Sequence, residues 1–128
     1  MTAAGDEQDR RPRAFVLEDD VQTQQLLAEL IALKGLEPVA FSRIASARLA
    51  LTERPPQVLV VDDDLPDGKG AELVRELRQD PRMRDVRVLF CTAAEPARRR
   101  EIATLAPVLA KPFRLNDVER ALADVVSG

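Results

Sequence analysis

Five short apolar runs alternating with five stretches of helical spacing predict an α/β domain built on a parallel sheet with helices on both faces. Two observations carry this. Runs such as Val58-Leu59-Val60-Val61 are apolar at every position, as strands buried on both faces are. The segments between them repeat apolar residues at helical spacing, the alternation expected of βα units. A third observation concerns function: the polar residues that end these runs fall at the carboxyl edge of the sheet, where open α/β sheets place their sites.

The first strand is Ala14-Phe15-Val16-Leu17, followed by Glu18-Asp19-Asp20. Asp20 directly precedes a helix with Leu26, Leu27, Leu30 and Ile31 on one face, and is its expected cap; Gly35 is its stop. Pro38 to Phe41 reads as the second strand. Ser42 or Ser46 is the expected cap of a second helix carrying Ile44, Ala47 and Leu51, closed by Pro55-Pro56. The third strand, Val58 to Val61, runs into Asp62-Asp63-Asp64 and a turn, and a helix is expected over Ala71 to Leu77. Val86 to Cys91 forms a fourth strand, Glu95 to Leu105 a fourth helix and Val108 to Ala110 a fifth strand. The last helix is expected to start near Asn116, with Asn116 and Glu119 at capping-box spacing.

The chain has 128 residues, 45% of them hydrophobic, enough for one core. Its net charge of −3 gives no basic field for nucleic acid. With no histidine and one cysteine, disulfide frameworks, Cys/His zinc sites and histidine-based catalytic pairs are excluded. No apolar stretch is long enough for a membrane helix, and a cytoplasmic protein without membrane partner is expected. Residues 1–12 are polar and aperiodic and read as a disordered tail, leaving 13–128 as the domain. High Arg and Ala with little Lys suits a bacterial source.

The chemistry concentrates in VLVVDDDLPDGKG, residues 58 to 70. Three adjacent carboxylates repel one another at the end of a buried strand, a cost that a cation converts into a binding site. Read alone, such a run is an acidic surface turn, Thr92 a strand-end hydroxyl and Lys111 a surface lysine. A calcium loop of the EF-hand kind is ruled out, because Pro66 or Leu65 falls where a ligand is required. Arg98-Arg99-Arg100 reads as a solvated helix face, and Cys91 as a buried packing residue.

Taken as a set, Glu18-Asp19, Asp62 with Leu65-Pro66 and Gly70, Thr92-Ala93, and Lys111-Pro112-Phe113 resemble a response-regulator receiver domain of two-component signalling across residues 14 to 127. The resemblance implies a flavodoxin-like doubly wound (βα)5 fold, a five-stranded parallel sheet of order 2-1-3-4-5. It also implies Asp62 as phosphoacceptor; Mg2+ held by Glu18, Asp19, Asp62 and the Asp64 backbone carbonyl; Thr92 and Lys111 on phosphoryl oxygens; and a cis Lys111–Pro112 bond. The implied phosphodonor is a sensor histidine kinase or phosphotransfer protein. One helix's length of chain follows Phe113, so the expected type is a stand-alone receiver, monomeric or weakly dimeric, that acts on a downstream protein and is not an enzyme. Two other readings stand beside it: a phosphorylation-independent pseudo-receiver, and a Mg2+-dependent aspartyl phosphohydrolase.

The pattern departs from the family at Val108, where receivers carry an aromatic, and in a short Thr92-to-Lys111 interval that predicts a shortened fourth helix. Asp64 and Ala94 lie where receivers tune hydrolysis of the acyl phosphate.

Overall fold

A computed structural model describes residues 11–128. Five strands form one parallel sheet: β1 (Arg13–Leu17), β2 (Glu37–Phe41), β3 (Val58–Val61), β4 (Arg87–Thr92) and β5 (Val108–Ala110), in the order β2-β1-β3-β4-β5. The order reverses direction at β1, so the crevice between β1 and β3 is the switch point of the winding. The helices are α1 (Val21–Leu33), α2 (Ile44–Glu53), α3 (Gly70–Gln79), α4 (Pro96–Ile102) and α5 (Leu115–Ser127). A small hairpin pairs Asp64–Leu65 with Gly68–Lys69 just beyond β3.

Alternation along the strands divides the core into two layers. Phe15, Leu17, Leu59, Val61, Val88 and Phe90 pack beneath α2, α3 and α4, with Ile44, Leu51, Leu73, Leu77 and Ile102 closing that layer. Ala14, Val16, Val58, Val60, Leu89 and Cys91 face the other way, against Leu27, Ile31, Val118 and Leu122 of α1 and α5. Every residue of β3 is buried, which fixes the strand that carries Asp62 between two packed layers.

Helix ends follow local chemistry, with three departures from expectation. Asp20 caps α1 as expected, accepting from the Thr23 N–H at 2.9 Å, and Gly35 takes the left-handed φ of 89° that ends it. Neither Ser42 nor Ser46 caps α2. Its first two N–H groups, of Ile44 and Ala45, donate instead to the carboxylate of Asp67 at 2.8 and 3.0 Å, from the hairpin loop. A distant carboxylate outcompetes a local hydroxyl because it carries full charge at the positive end of the helix.

Helix α5 begins at Leu115, near Asn116 as expected, but its N-terminal cap bond runs from the Arg114 N–H to Asp117 at 3.4 Å rather than pairing Asn116 with Glu119. Helix α4 stops at Ile102, short of the Leu105 read from apolar spacing but in keeping with the shortened fourth helix that the Thr92-to-Lys111 interval predicts; the chain turns through Thr104 and Leu105, whose N–H groups reach the carbonyls of Glu101 and Ile102. The expected tail lies outside the described residues up to residue 10. At its end, the Arg11 guanidinium pairs with Glu37 and the Pro12 carbonyl accepts from the Glu37 N–H at 2.9 Å.

Candidate functional site

The ladder hydrogen bonds of the sheet run one residue past each strand and so fix the site's backbone. The Glu18 N–H donates to Phe41 and the Asp62 N–H to Leu17, each at 3.0 Å; the Lys111 N–H donates to Thr92 at 2.8 Å. Gln24 of α1 adds a side-chain bond to the Glu18 carbonyl at 2.8 Å. Glu18, Asp62, Thr92 and Lys111 therefore sit at the carboxyl edge around the β1–β3 crevice, held by strands rather than by loops.

Glu18 is 2% exposed and Asp62 7%. Lys111 Nζ bridges them, donating to Glu18 Oε1 at 2.5 Å and Asp62 Oδ2 at 3.0 Å. Glu18 Oε2 accepts from the Asp20 N–H at 3.1 Å, and Asp62 Oδ1 from the Asp64 N–H at 3.1 Å. Burial pushes the Glu18 carboxyl above its ordinary range, and its bonds from Lys111 and Asp20 only partly offset this. Burial works against the Lys111 charge too, but its bonds to Glu18 and Asp62 outweigh that and hold the ammonium above the usual lysine range.

Glu18, Asp19 and Asp62 each place a carboxylate oxygen within 4.8 Å of the others. An all-oxygen set of three carboxylates, one of them exposed, against a single ammonium matches a hard divalent cation that keeps some of its water. The Asp64 side chain turns away to pair with Lys69, which leaves its backbone as the part available to the site. Thr92 is fully buried, its Oγ1 accepting from the Ala94 N–H at 3.2 Å. The Lys111–Pro112 bond is cis.

Gly70 closes the back of the site. A Cβ there would lie 2.1 Å from the Asp62 carbonyl oxygen and 2.7 Å from Val61 Cγ2, so the start of α3 approaches the end of β3 as only glycine allows. An open cleft of about 610 Å³ lies between α3 and α4, but it is lined by none of Glu18, Asp19, Asp62 or Lys111. Donor geometry, not size, assigns the chemistry.

The sequence reading missed Asp63. Its carboxylate is wholly buried and accepts from Arg98 Nε at 2.7 Å, from Arg98 Nη2 at 3.1 Å and from the Ala71 N–H at 3.1 Å. Burial works to raise its pKa, but these bonds outweigh it and hold the carboxyl below its ordinary range. Arg98 is thus not part of a solvated face, as was expected of Arg98-Arg99-Arg100: it lies one helical turn before buried Ile102 and faces inward with it. That spacing was the signal available in the sequence. Arg99 also turns back, to the Ala94 carbonyl at 2.5 Å, and Arg100 alone is exposed. Cys91 is buried as expected, its thiol pushed up to about 12 by burial.

With this geometry in place, comparison with known proteins is decisive. Residues 14–123 match the response regulator receiver domain family. The chain belongs to that family. It is 31% identical over 112 residues to the response regulator receiver protein CpdR of Brucella abortus, covering 83% of this chain and 89% of that protein. It is 35% identical over 105 residues to the phosphate regulon transcriptional regulatory protein PhoB of Rhizobium meliloti, covering 80% of this chain but 46% of that one. The receiver therefore spans about half the length of the curated PhoB relatives. Among solved structures, a putative response regulator from Chloroflexus aurantiacus superposes with a TM-score of 0.81 at 20% identity, covering 92% of this chain and all of that one. A sensor protein from Polaromonas sp. JS666 gives a TM-score of 0.74 at 30% identity, covering 90% and 98%. The fold is thus the flavodoxin-like receiver fold. No helix among the described residues is long and apolar enough to cross a membrane.

Proposed function

We propose that this receiver accepts a phosphoryl group on Asp62 from a histidine kinase or phosphotransfer protein and passes the signal on by protein–protein contact. The observation that carries the reading is the Glu18–Lys111–Asp62 bridge beside Asp19, which sets one ammonium and three carboxylates around one buried strand end.

An Asp62 carboxylate oxygen attacks the phosphorus of the donor; the new O–P bond forms as the P–N bond to the donor imidazole breaks, and the imidazole leaves with a proton from solvent. Lys111 swings from Asp62 to a phosphoryl oxygen, its flexible stem allowing the move. The Thr92 hydroxyl donates to a second phosphoryl oxygen. Asp19, Asp62 and the Asp64 carbonyl, with Glu18 acting through a water, would hold Mg2+, which would neutralise the phosphoryl charge. The chain's own work is to hold Asp62 still and to keep Lys111 charged.

Two other readings make different predictions. Val108, where an aromatic is usual, favours a pseudo-receiver that never takes up phosphate; an aspartyl phosphohydrolase would instead turn over small phosphate esters. Incubation with acetyl phosphate and Mg2+ followed by intact mass distinguishes them. The expected result is one added phosphoryl group, absent without Mg2+ and in Asp62→Asn. No adduct, with Mg2+ binding demonstrated and rapid hydrolysis excluded by a beryllofluoride complex, leaves the pseudo-receiver; steady ester turnover supports the hydrolase.

A further inference from the structure

Asp63 and Asp64 face opposite ways. In the hairpin beyond β3, Asp64 pairs with Lys69 and Leu65 with Gly68. Pairs in an antiparallel ladder alternate between hydrogen-bonded and non-hydrogen-bonded. The bond from the Gly70 N–H to the Asp63 carbonyl, at 2.9 Å, brackets the Asp64–Lys69 pair and makes it the second kind. The N–H and carbonyl of Asp64 therefore both face out of the hairpin. The N–H reaches Asp62 Oδ1 at 3.1 Å, so the carbonyl leaves from the same edge of the backbone, toward the carboxylates at the end of β3.

Asp63 is held through main chain and side chain at once. Its carbonyl accepts from the Gly70 N–H and its carboxylate from the Ala71 N–H at 3.1 Å, so two successive donors of the first turn of α3 close on one residue. Lys69, at the N-cap position of that helix, offers no side-chain bond, and Asp63 takes over the role. Arg98 supplies the countercharge that lets a wholly buried carboxylate remain there, through Nε at 2.7 Å and Nη2 at 3.1 Å. The peptide group between Asp63 and Asp64 is thereby pinned on both sides, its carbonyl to Gly70 and its N–H to Asp62.

We propose that Asp63 is a positioning residue for the cation: by fixing the first turn of α3 to the loop after β3 it aims the Asp64 carbonyl, and that aim selects a small octahedral cation over a larger one. The inference rests on the reading of this strand end as a Mg2+ site. Mg2+ demands near-ideal octahedral geometry at ~2.0–2.1 Å, whereas Ca2+ takes six to eight oxygens at ~2.3–2.6 Å in a flexible shell. Carboxylates on rotatable side chains follow either ion. A backbone carbonyl follows neither, so its fixed direction is where the two are told apart.

Titration calorimetry with Mg2+ and with Ca2+ on the full chain tests this, with thermal unfolding read in parallel. Arg98→Met accompanies each change at position 63, so that no buried charge is left unpaired. With it, Asp63→Asn keeps an oxygen for the Ala71 N–H and Asp63→Ala does not. The Asn variant is expected to bind both ions within about three-fold of wild type, since neutral groups replace a buried pair. The Ala variant is expected to lose about ten-fold or more for Mg2+, the usual cost of removing a group that orients a ligand, and less than about three-fold for Ca2+, whose shell tolerates a displaced oxygen. Loss of both ions together, or of neither, in a folded Ala variant overturns the positioning role and leaves the cation reading standing, as does an Asn variant that loses Mg2+ as the Ala variant does. Should the Ala variant lose its cooperative thermal transition, hydrogen exchange of the wild type decides. Because coupling is reciprocal, Mg2+ is expected to slow exchange of the Ala71 amide about five-fold more than that of Ile44 and Ala45 at the start of α2, and equal slowing overturns the proposal. Wild type that binds no Mg2+ overturns the cation reading as well.

Discussion

Lys111 is the residue on which the site's balance turns, since its one ammonium faces Glu18 and Asp62 together. Lys111→Met keeps much of the stem and removes the charge. Phosphoryl uptake is expected to slow about 10²–10³-fold, the usual cost of deleting one preorganised charge partner. Mg2+ binding is expected to tighten at the same time, because the carboxylates lose the cation that competes for them. Titration with Mg2+ beside a time course of phosphorylation separates the two effects; a parallel loss of both would assign Lys111 a merely structural role. At this scale the sequence was legible where a residue ends a strand: Glu18, Asp62, Thr92 and Lys111 all lie where the apolar runs stop. Asp63 was not, because within three identical aspartates only the partners tell one from another, and its partner Arg98 is far away in the chain.

Elements meet at two points that a local reading does not reach. Gly70 opens α3 directly against the Asp62 carbonyl, and Gly70→Ala is expected to destabilise the protein by about 3 kcal/mol or more, the upper range for forced overpacking against backbone. Urea unfolding measures this; a change within experimental error would show that the α3 terminus is not fixed there. The start of α2 depends on Asp67, whose carboxyl is held below its ordinary value of 3.8 by the N–H groups of Ile44 and Ala45. A depressed folded-state pKa contributes stability that is present above 3.8 and is lost as pH falls through the folded value. Asp67→Ala is therefore expected to lower Tm at neutral pH, with the gap to wild type closing as the pH drops below 3.8; a gap independent of pH would contradict the cap. The helices themselves were readable from apolar spacing. Their caps were readable only where the acceptor is local: Asp20 caps α1 as expected, whereas α2 borrows its acceptor from a loop that follows β3, and propensity sees only neighbours in sequence.

Over the whole molecule, the parallel sheet was legible because each strand is apolar on both faces, and the two layers of the core follow from strict alternation along β1, β3 and β4. That architecture brings the ends of β1, β3, β4 and β5 to one edge, so residues separated by most of the chain, such as Glu18 and Lys111, meet at hydrogen-bond distance. What alternation does not reveal is how that edge is tied to the helices, since α4 reaches the loops beside it through two arginines that resemble surface charge in the sequence. The central claim, that this edge exists to phosphorylate Asp62, is tested most directly by reducing the acetyl phosphate-treated protein with borohydride. This converts an aspartyl phosphate to homoserine, and peptide mass mapping locates it. The account predicts homoserine at position 62 alone and only when Mg2+ is present. Homoserine at 63 or 64, or none despite an intact phosphoryl adduct, would contradict it.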